Sequence, residues 1–257
     1  MDTGADIDKN MQKSLRFIKQ AKAKEVELLV FPENFLYIGP NHSFHFTIDS
    51  HSIKAIRIQA KESQLNIIGC FPIFNKGRVY NQAILIDKNG EIAATYSKIH
   101  LFKAQLNGQE TYNEPENYAR GFSLAHADIN GWKTGMAICF DLRFPVLFRK
   151  MALQGTHLVI VPSNFTVFTG RAHWLTLLKA RAIENQLYIA APNQVGRKGA
   201  TRRSFGHSCI IDPWGDVLSL KSFGEGLVMA DISKGRIDSI RKQLPSVALS
   251  KEQSFLR

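Results

Sequence analysis

The sequence has no long apolar run: nothing in its 257 residues approaches the roughly 20 consecutive apolar positions that cross a bilayer, which excludes a transmembrane reading. Cysteine is scarce. The three thiols, Cys70, Cys139 and Cys209, stand far apart, so there is no CxxC pair or other compact metal-ligand spacing, and their odd number argues against a disulfide framework. HExxH, GxSxG, a Walker loop and a dinucleotide-type glycine fingerprint are absent too, so neither a metal nor a cofactor is expected. No linker or low-complexity tract divides the chain, which reads as one domain, 1–257. Met1 to Asn10 is polar and acidic where an export signal is basic and then apolar, so the expected location is cytoplasmic. Without export, the acceptor patterns Asn41-His42-Ser43 and Asn164-Phe165-Thr166 carry no glycosylation meaning.

What is present is the balance of a soluble globular protein, 44% hydrophobic and 21% charged, long enough to bury a substantial core. The net charge of +11 raises a nucleic-acid surface as a possibility. The positive residues are scattered, however, with only short groups such as Lys19, Lys22, Lys24 and Arg197, Lys198, Arg202, Arg203. A solvated surface is the simpler reading, with an anionic substrate as a third; neither a nucleic-acid nor a membrane partner is expected.

Taken in order, the chain alternates helix and strand signals. Asp8 to Lys24 places Met11, Leu15, Ile18 and Ala21 on one helical face, and Val26 to Phe31 is a buried strand stopped by Pro32, delivering Glu33-Asn34 to its C-terminal end. A helix over 52–63 and a strand over 65–71 repeat the pattern. Strands at 79–87 and 92–96 flank Lys88-Asn89-Gly90, a hairpin-type turn, and Lys98 stands just past the second. Residues 103–121 are polar and read as a long loop carrying Glu114 and Glu116, between which composition cannot choose. A strand ending at Ile138 leads into Cys139, a sharp turn and a helix over 144–154. Further strands are expected at 157–162, 187–192, 207–212, 217–220 and 227–231, a long helix at 171–186, and a basic loop at 196–204. The mixture predicts α/β architecture with mixed or stacked sheets.

Chemistry concentrates at the strand ends. A lone strand cysteine is more often a packed core residue, and a lone lysine more often surface. Here a thiol at a strand-to-helix corner comes with Glu33 and Lys98, and such a corner can favour thiolate. FPENF around Glu33, YSKIHLF around Lys98, NEPENYARG around Glu114 and GMAICFDLRFP around Cys139 together resemble the nitrilase superfamily of carbon–nitrogen hydrolases. The run from Pro162 to Gly196, followed by RRSFGHSCIIDPWG, is similar to the branch that hydrolyses deaminated glutathione.

The resemblance implies a four-layer αββα sandwich that pairs into homodimers or larger oligomers and acts on a small-molecule amide. Cys139 is then the nucleophile and Glu33 the base, with a raised pKa. Lys98 and a main-chain N–H after Cys139 bind the oxyanion. Glu114, chosen over Glu116 because it follows Asn113 as the family motif requires, holds Lys98 or the substrate. Phe165, Thr169, His173 and Trp174 are expected around the substrate, with Arg202 or Arg203 on a carboxylate. Asp141 and Arg143 read as an ion pair or a cap for the turn, and His100, His173 and His207 as packing or pocket residues. Relatives begin with an apolar strand that this sequence lacks before Met1-Asp2-Thr3, so the chain is expected to be truncated there, with a start further upstream. Two alternatives accompany the leading one: an ω-amidase on dicarboxylic monoamides, and an inactive truncated homologue serving as a binding protein.

Overall fold

The computed structural model describes residues 1–39, 44–106, 110–198 and 202–252. The pattern Asn41-His42-Ser43 and residues 199–201 of the basic segment lie outside them.

Helix α1 (Ile7–Lys22) begins where the Asp6 side chain accepts the Lys9 N–H at 3.0 Å, and it buries Phe17, Ile18 and Ala21. Helix α2 (His51–Ser63) buries Ile53, Ile56 and Ala60 in the same cluster. Both cover a sheet whose order, among the described residues, is β1 (Leu28–Val30), β2 (Asn66–Asn75), β3 (Arg78–Ile86) and β4 (Ile92–Ser97). The first pair is parallel and the others are antiparallel. The expected turn at Lys88-Asn89-Gly90 is present, with Gly90 at φ +81°, a conformation that glycine alone adopts without strain.

The period of two in β2 and β3 divides their side chains between two cores. Ile67, Phe71, Ile84 and Ile86 face the helices, while Ile68, Cys70, Ala83 and Leu85 face a second sheet. Each buried Ile or Leu contributes about 1.5–3 kcal/mol, so this double use of two strands glues three layers at once.

Two ribbons stand apart from the main sheets: β5 (Lys103–Leu106) with β6 (Glu110–Asn113), and β11 (Val195–Lys198) with β12 (Arg202–Phe205). The second sheet runs β14 (Val217–Lys221), β13 (Ser208–Ile211), β10 (Tyr188–Ala191), β9 (Leu158–Ile160), β8 (Trp132–Met136) and β7 (His126–Ile129). Its outer face is covered by α3 (Pro145–Leu153) and α4 (Val167–Asn185) through Phe148, Met151, Trp174 and Leu178. Two helices, α5 (Lys234–Gln243) and α6 (Ser246–Glu252), follow. The layers are therefore helix, sheet, sheet, helix, the αββα sandwich expected. No described helix is long and apolar enough to cross a membrane.

Three segments differ from the sequence reading. Residues 103–121 and 196–204, expected as loops, contain the two ribbons, and a 3-10 turn spans Glu114–Glu116. Each ribbon strand is only four residues long and rich in polar side chains, too short for a period to stand out, although Phe205 packs against the core and Lys198 and Ser204 are buried. Residues 227–231, expected as a strand, pair with no strand among the described residues. Leu227, Val228 and Met229 instead flank a cleft of about 120 Å³ whose other wall includes Leu28, Leu29 and Val30 of β1, itself paired on one side only. Met1 closes one end of this cleft, buried, with its carbonyl accepting the Val195 N–H at 3.0 Å.

Candidate active site

Cys139 stands at the first residue of a 3-10 turn, Cys139–Arg143, with φ +47°. A left-handed non-glycine residue costs about 1–3 kcal/mol and persists only where its surroundings over-determine it. Here they do. The Cys139 N–H donates to Pro162 O at 3.0 Å, tying the corner to the strand beside it. Asp141, fully buried, accepts from the Ile138 N–H (3.0 Å), the Tyr96 hydroxyl (2.7 Å), the His100 N–H (3.0 Å) and the His100 ring Nδ1 (2.7 Å). The capping role read for Asp141 is thus what its contacts describe, and His100 serves that clamp while stacking on Phe144.

Glu33 arrives from the end of β1, Lys98 from the end of β4, and Glu114 from the 3-10 turn after β6. Lys98 Nζ lies 2.9 Å from Glu33 Oε1 and 2.8 Å from Glu114 Oε2. Glu114 Oε2 also accepts the Phe102 N–H at 2.6 Å. Glu116 lines the same cavity but bonds Asn113, whereas Glu114 bonds Lys98. A cavity of about 430 Å³ is lined by Glu33, Lys98, Glu114 and Cys139 together.

The electrostatics of this cluster are those of an ion pair next to a neutral thiol. Burial would raise Glu33, but the Lys98 charge and hydrogen bonds from Lys98, Cys139 and Asn81 outweigh it and hold the carboxylate below its ordinary range. Burial would lower Lys98, yet Glu114 and Glu33 hold it well above its own. Burial pushes the Cys139 thiol up and the Glu33 charge adds to this, with Lys98 and the Asn164 main-chain N–H opposing only in part. Two sequence expectations are corrected here. Glu33 is lowered rather than raised, because Lys98 is in direct contact, and the corner at Cys139 favours a thiol rather than a thiolate, because it is buried and faces a carboxylate.

Of the expected substrate residues, Phe165, Thr169 and Arg202 line the cavity. Thr166 caps α4 by accepting the Thr169 N–H at 3.3 Å, which fixes the Thr169 side chain against the site. Arg202 Nη2 donates to Asn164 O at 3.1 Å and its guanidinium lies 5.1 Å from the Tyr112 ring centroid. Arg203, one residue along the same strand, is exposed and points into a different cleft, as strand alternation requires. Arg197 is exposed, and Lys198 is buried away from the cavity, pinning Asp2 at 2.7 Å. His173 is exposed and does not line the cavity; its Nδ1 accepts from Arg143 at 3.2 Å. Trp174 is core, and its Nε1 donates to His207 O.

Arg143 requires the opposite correction. Read as half of an ion pair, it has no acidic partner among the described residues and lines the cavity, 5.4 Å from the Phe165 ring centroid. Asn81, in the middle of β3, is not among the site residues expected from the sequence. Its signal was there: it shares a strand face with Ala83 and Leu85, and a polar side chain on an inward apolar face must find partners. Among the described residues, no three His, Cys, Asp or Glu side chains are grouped to hold a metal ion.

The family profile described as "Carbon-nitrogen hydrolase" matches residues 1–242. A protein of Synechocystis named "Deaminated glutathione amidase" is 36% identical over 258 residues, spanning 96% of this chain and 94% of its own length. Human "Omega-amidase NIT2" is 31% identical over 242 residues, with 92% and 87% covered. The crystal structure of the Caenorhabditis elegans NitFhit protein superposes with a TM-score of 0.90 at 31% identity, covering 99% of this chain and 63% of that longer one. A buried thiol facing a carboxylate–ammonium pair, and a match that runs through nearly the whole sequence, lead to one conclusion: the chain belongs to the carbon–nitrogen hydrolase family.

Proposed function

We propose that the chain hydrolyses a carboxylate-bearing amide, deaminated glutathione foremost, through a thioester on Cys139. One observation carries this reading: the Glu33–Lys98–Cys139 cluster shares its cavity with two guanidinium groups, those of Arg143 and Arg202. Deaminated glutathione has a carboxylate at each end of a peptide-like body, so two arginines match it better than they match a monoacid.

Because Cys139 rests as a thiol and Glu33 as a carboxylate, the thiol proton moves to Glu33 as Sγ bonds the amide carbon, and the new negative charge forms on the substrate oxygen. Lys98 directs N–H groups at Glu33 and Glu114, which leaves its third for that oxygen; the Phe140 main-chain N–H is the second donor. The C–N bond then breaks, the departing amine takes the proton from Glu33, and a thioester remains. Water adds next, with its proton going to Glu33. Expulsion of the Cys139 sulfur, which recovers that proton, frees the acid. Glu114 holds Lys98, while Phe165 and Thr169 face the substrate body.

The relative named as an ω-amidase favours a second reading, hydrolysis of short dicarboxylic monoamides with release of ammonia. Steady-state kinetics on deaminated glutathione and on succinamic acid separates the two. At least a tenfold higher kcat/KM for deaminated glutathione is expected, and a preference for succinamic acid reverses the order of the readings.

The charge assignment makes a sharper prediction. Arg202→Ala is expected to raise KM for deaminated glutathione roughly 10- to 100-fold, the scale of one lost charge-assisted hydrogen bond, with little effect on a neutral amide. Arg203→Ala is expected to leave both substrates unchanged. Equal effects of the two substitutions contradict carboxylate binding by Arg202.

We also read the protein as a homodimer or larger oligomer, since α4 and the turn next to it expose Phe168, Ile183 and Trp214. Sedimentation equilibrium checks this: a monomer at micromolar concentration refutes it, and Ile183→Asp is expected to weaken association.

A further inference from the structure

Among the described residues, Lys98 is the one cation in direct contact with both Glu33 and Glu114, so the two carboxylates need further donors to hold them in place. Asn81 is fully buried beside it, and its Nδ2 donates to Glu33 Oε1 at 2.8 Å and to Glu114 Oε1 at 2.9 Å. Both amide hydrogens are thereby spent on the two carboxylates. The amide is itself held in that orientation: its Oδ1 accepts the Cys70 thiol at 3.1 Å, and its main-chain carbonyl accepts the Lys98 N–H at 2.9 Å. A carboxamide is the side chain that can offer two donors at this spacing without adding charge, and a thiol behind it fixes which end faces the acids.

We infer that Asn81, oriented by Cys70, is a positioning residue that holds Glu33 and Glu114 in register on either side of Lys98 and keeps Glu33 free of a proton, ready to receive the one from Cys139. This rests on the reading of Glu33, Lys98 and Cys139 as the acylating cluster. The titratable groups around Glu33 are Lys98, Glu114, Cys139 and Cys70, with Tyr118 also lining the cavity. Without the amide donors, Glu33 binds its proton more tightly, and a protonated Glu33 cannot accept another. The acid limb of any Cys139 reaction then moves to higher pH.

The test compares Asn81→Ala and Asn81→Asp, both first shown to be folded by thermal melting, using two readouts. One is the pH dependence of Cys139 carbamidomethylation by iodoacetamide, followed by peptide mass, which needs no amide substrate. The other is the pH dependence of kcat and KM for amide hydrolysis. Asn81→Ala is expected to move the acid limb up by about one pH unit, the scale of a lost hydrogen bond to a charged group, and to lower kcat about tenfold with KM within threefold. Asn81→Asp keeps the volume but adds a third acid, so its acid limb is expected to move further still. A residue that merely fills space gives the reverse order, with alanine the worse substitution, and that order overturns the inference. So does an unshifted acid limb in either folded variant, or a loss confined to KM. If one variant fails to fold, the other alone decides by the same criterion. A shifted alkylation profile in a protein that hydrolyses no amide supports the role of Asn81 and refutes the proposed function. Normal hydrolysis with unshifted profiles does the opposite.

Discussion

Replacing Cys139 with alanine is expected to stop amide hydrolysis, with a loss on the order of 10⁴-fold or more, while the melting temperature changes by only a few degrees. The stability half of this prediction follows from the corner. Cysteine and alanine face the same penalty at φ +47°, and the bonds that hold the turn come from the Cys139 N–H and from Asp141, which the substitution leaves in place. What disappears is one small buried group and its bond to Glu33. The activity half follows from the lining: among the described residues no second thiol lines the cavity, since Cys70 faces Asn81 instead, and burial pushes its thiol well up. Turnover within about tenfold of the unmutated protein contradicts covalent catalysis by Cys139.

Lys98→Met produces the second large effect, on stability as well as rate. It leaves Glu33 and Glu114 without their cation in a site where Lys98 is 2% exposed and Glu33 5% exposed. Removing one partner of a buried ion pair costs about 3–5 kcal/mol, because the remaining charge is uncompensated. The pH dependence identifies the cause. In the unmutated protein Glu33 is held below its ordinary range, so its contribution is complete above the unfolded carboxylate value and is lost as pH falls through the lower folded one. In the variant, burial acts on Glu33 unopposed by Lys98 and raises its carboxyl, which is buried readily only when protonated. The stability deficit is therefore expected to be large at pH 8 and smaller at pH 5, read from thermal melts. A deficit that grows on acidification refutes this account of the cluster.

How much of this could be read beforehand depended on where each residue sat. Glu33, Lys98 and Cys139 were legible because each follows an apolar strand at once, and a polar group in that place has little structural reason to be there. The two main sheets were legible in the same way, from runs such as Leu65 to Phe71. The ribbons were not: each of their strands has only four residues, mostly polar, so no pattern is long enough to read, although pairing with a neighbour makes strands of them. Arg202 and Arg203 look equivalent in sequence, and only knowledge that they lie in a strand sends one into the cavity and the other out. Arg143 seemed a partner for Asp141, but Asp141 is satisfied by His100, Tyr96 and a main-chain N–H, which frees the arginine for the cavity wall. The direction of the Glu33 shift was missed because burial and an adjacent ammonium act in opposite senses, and sequence gives no distance with which to weigh them.

The Asp141 clamp has a consequence for how the molecule comes apart. Tyr96 and His100 belong to one sheet and the segment after it, whereas Ile138 and Cys139 extend from the other, so the same carboxylate that shapes the corner also rivets the two halves of the sandwich. The base and the thiol likewise come from opposite halves. Any opening that slides one sheet across the other separates Glu33 from Cys139 while each half still keeps its helices and strands. Loss of turnover on heating or in denaturant is therefore expected to precede loss of the far-ultraviolet circular dichroism signal, with catalysis the finer gauge of whether the seam is shut.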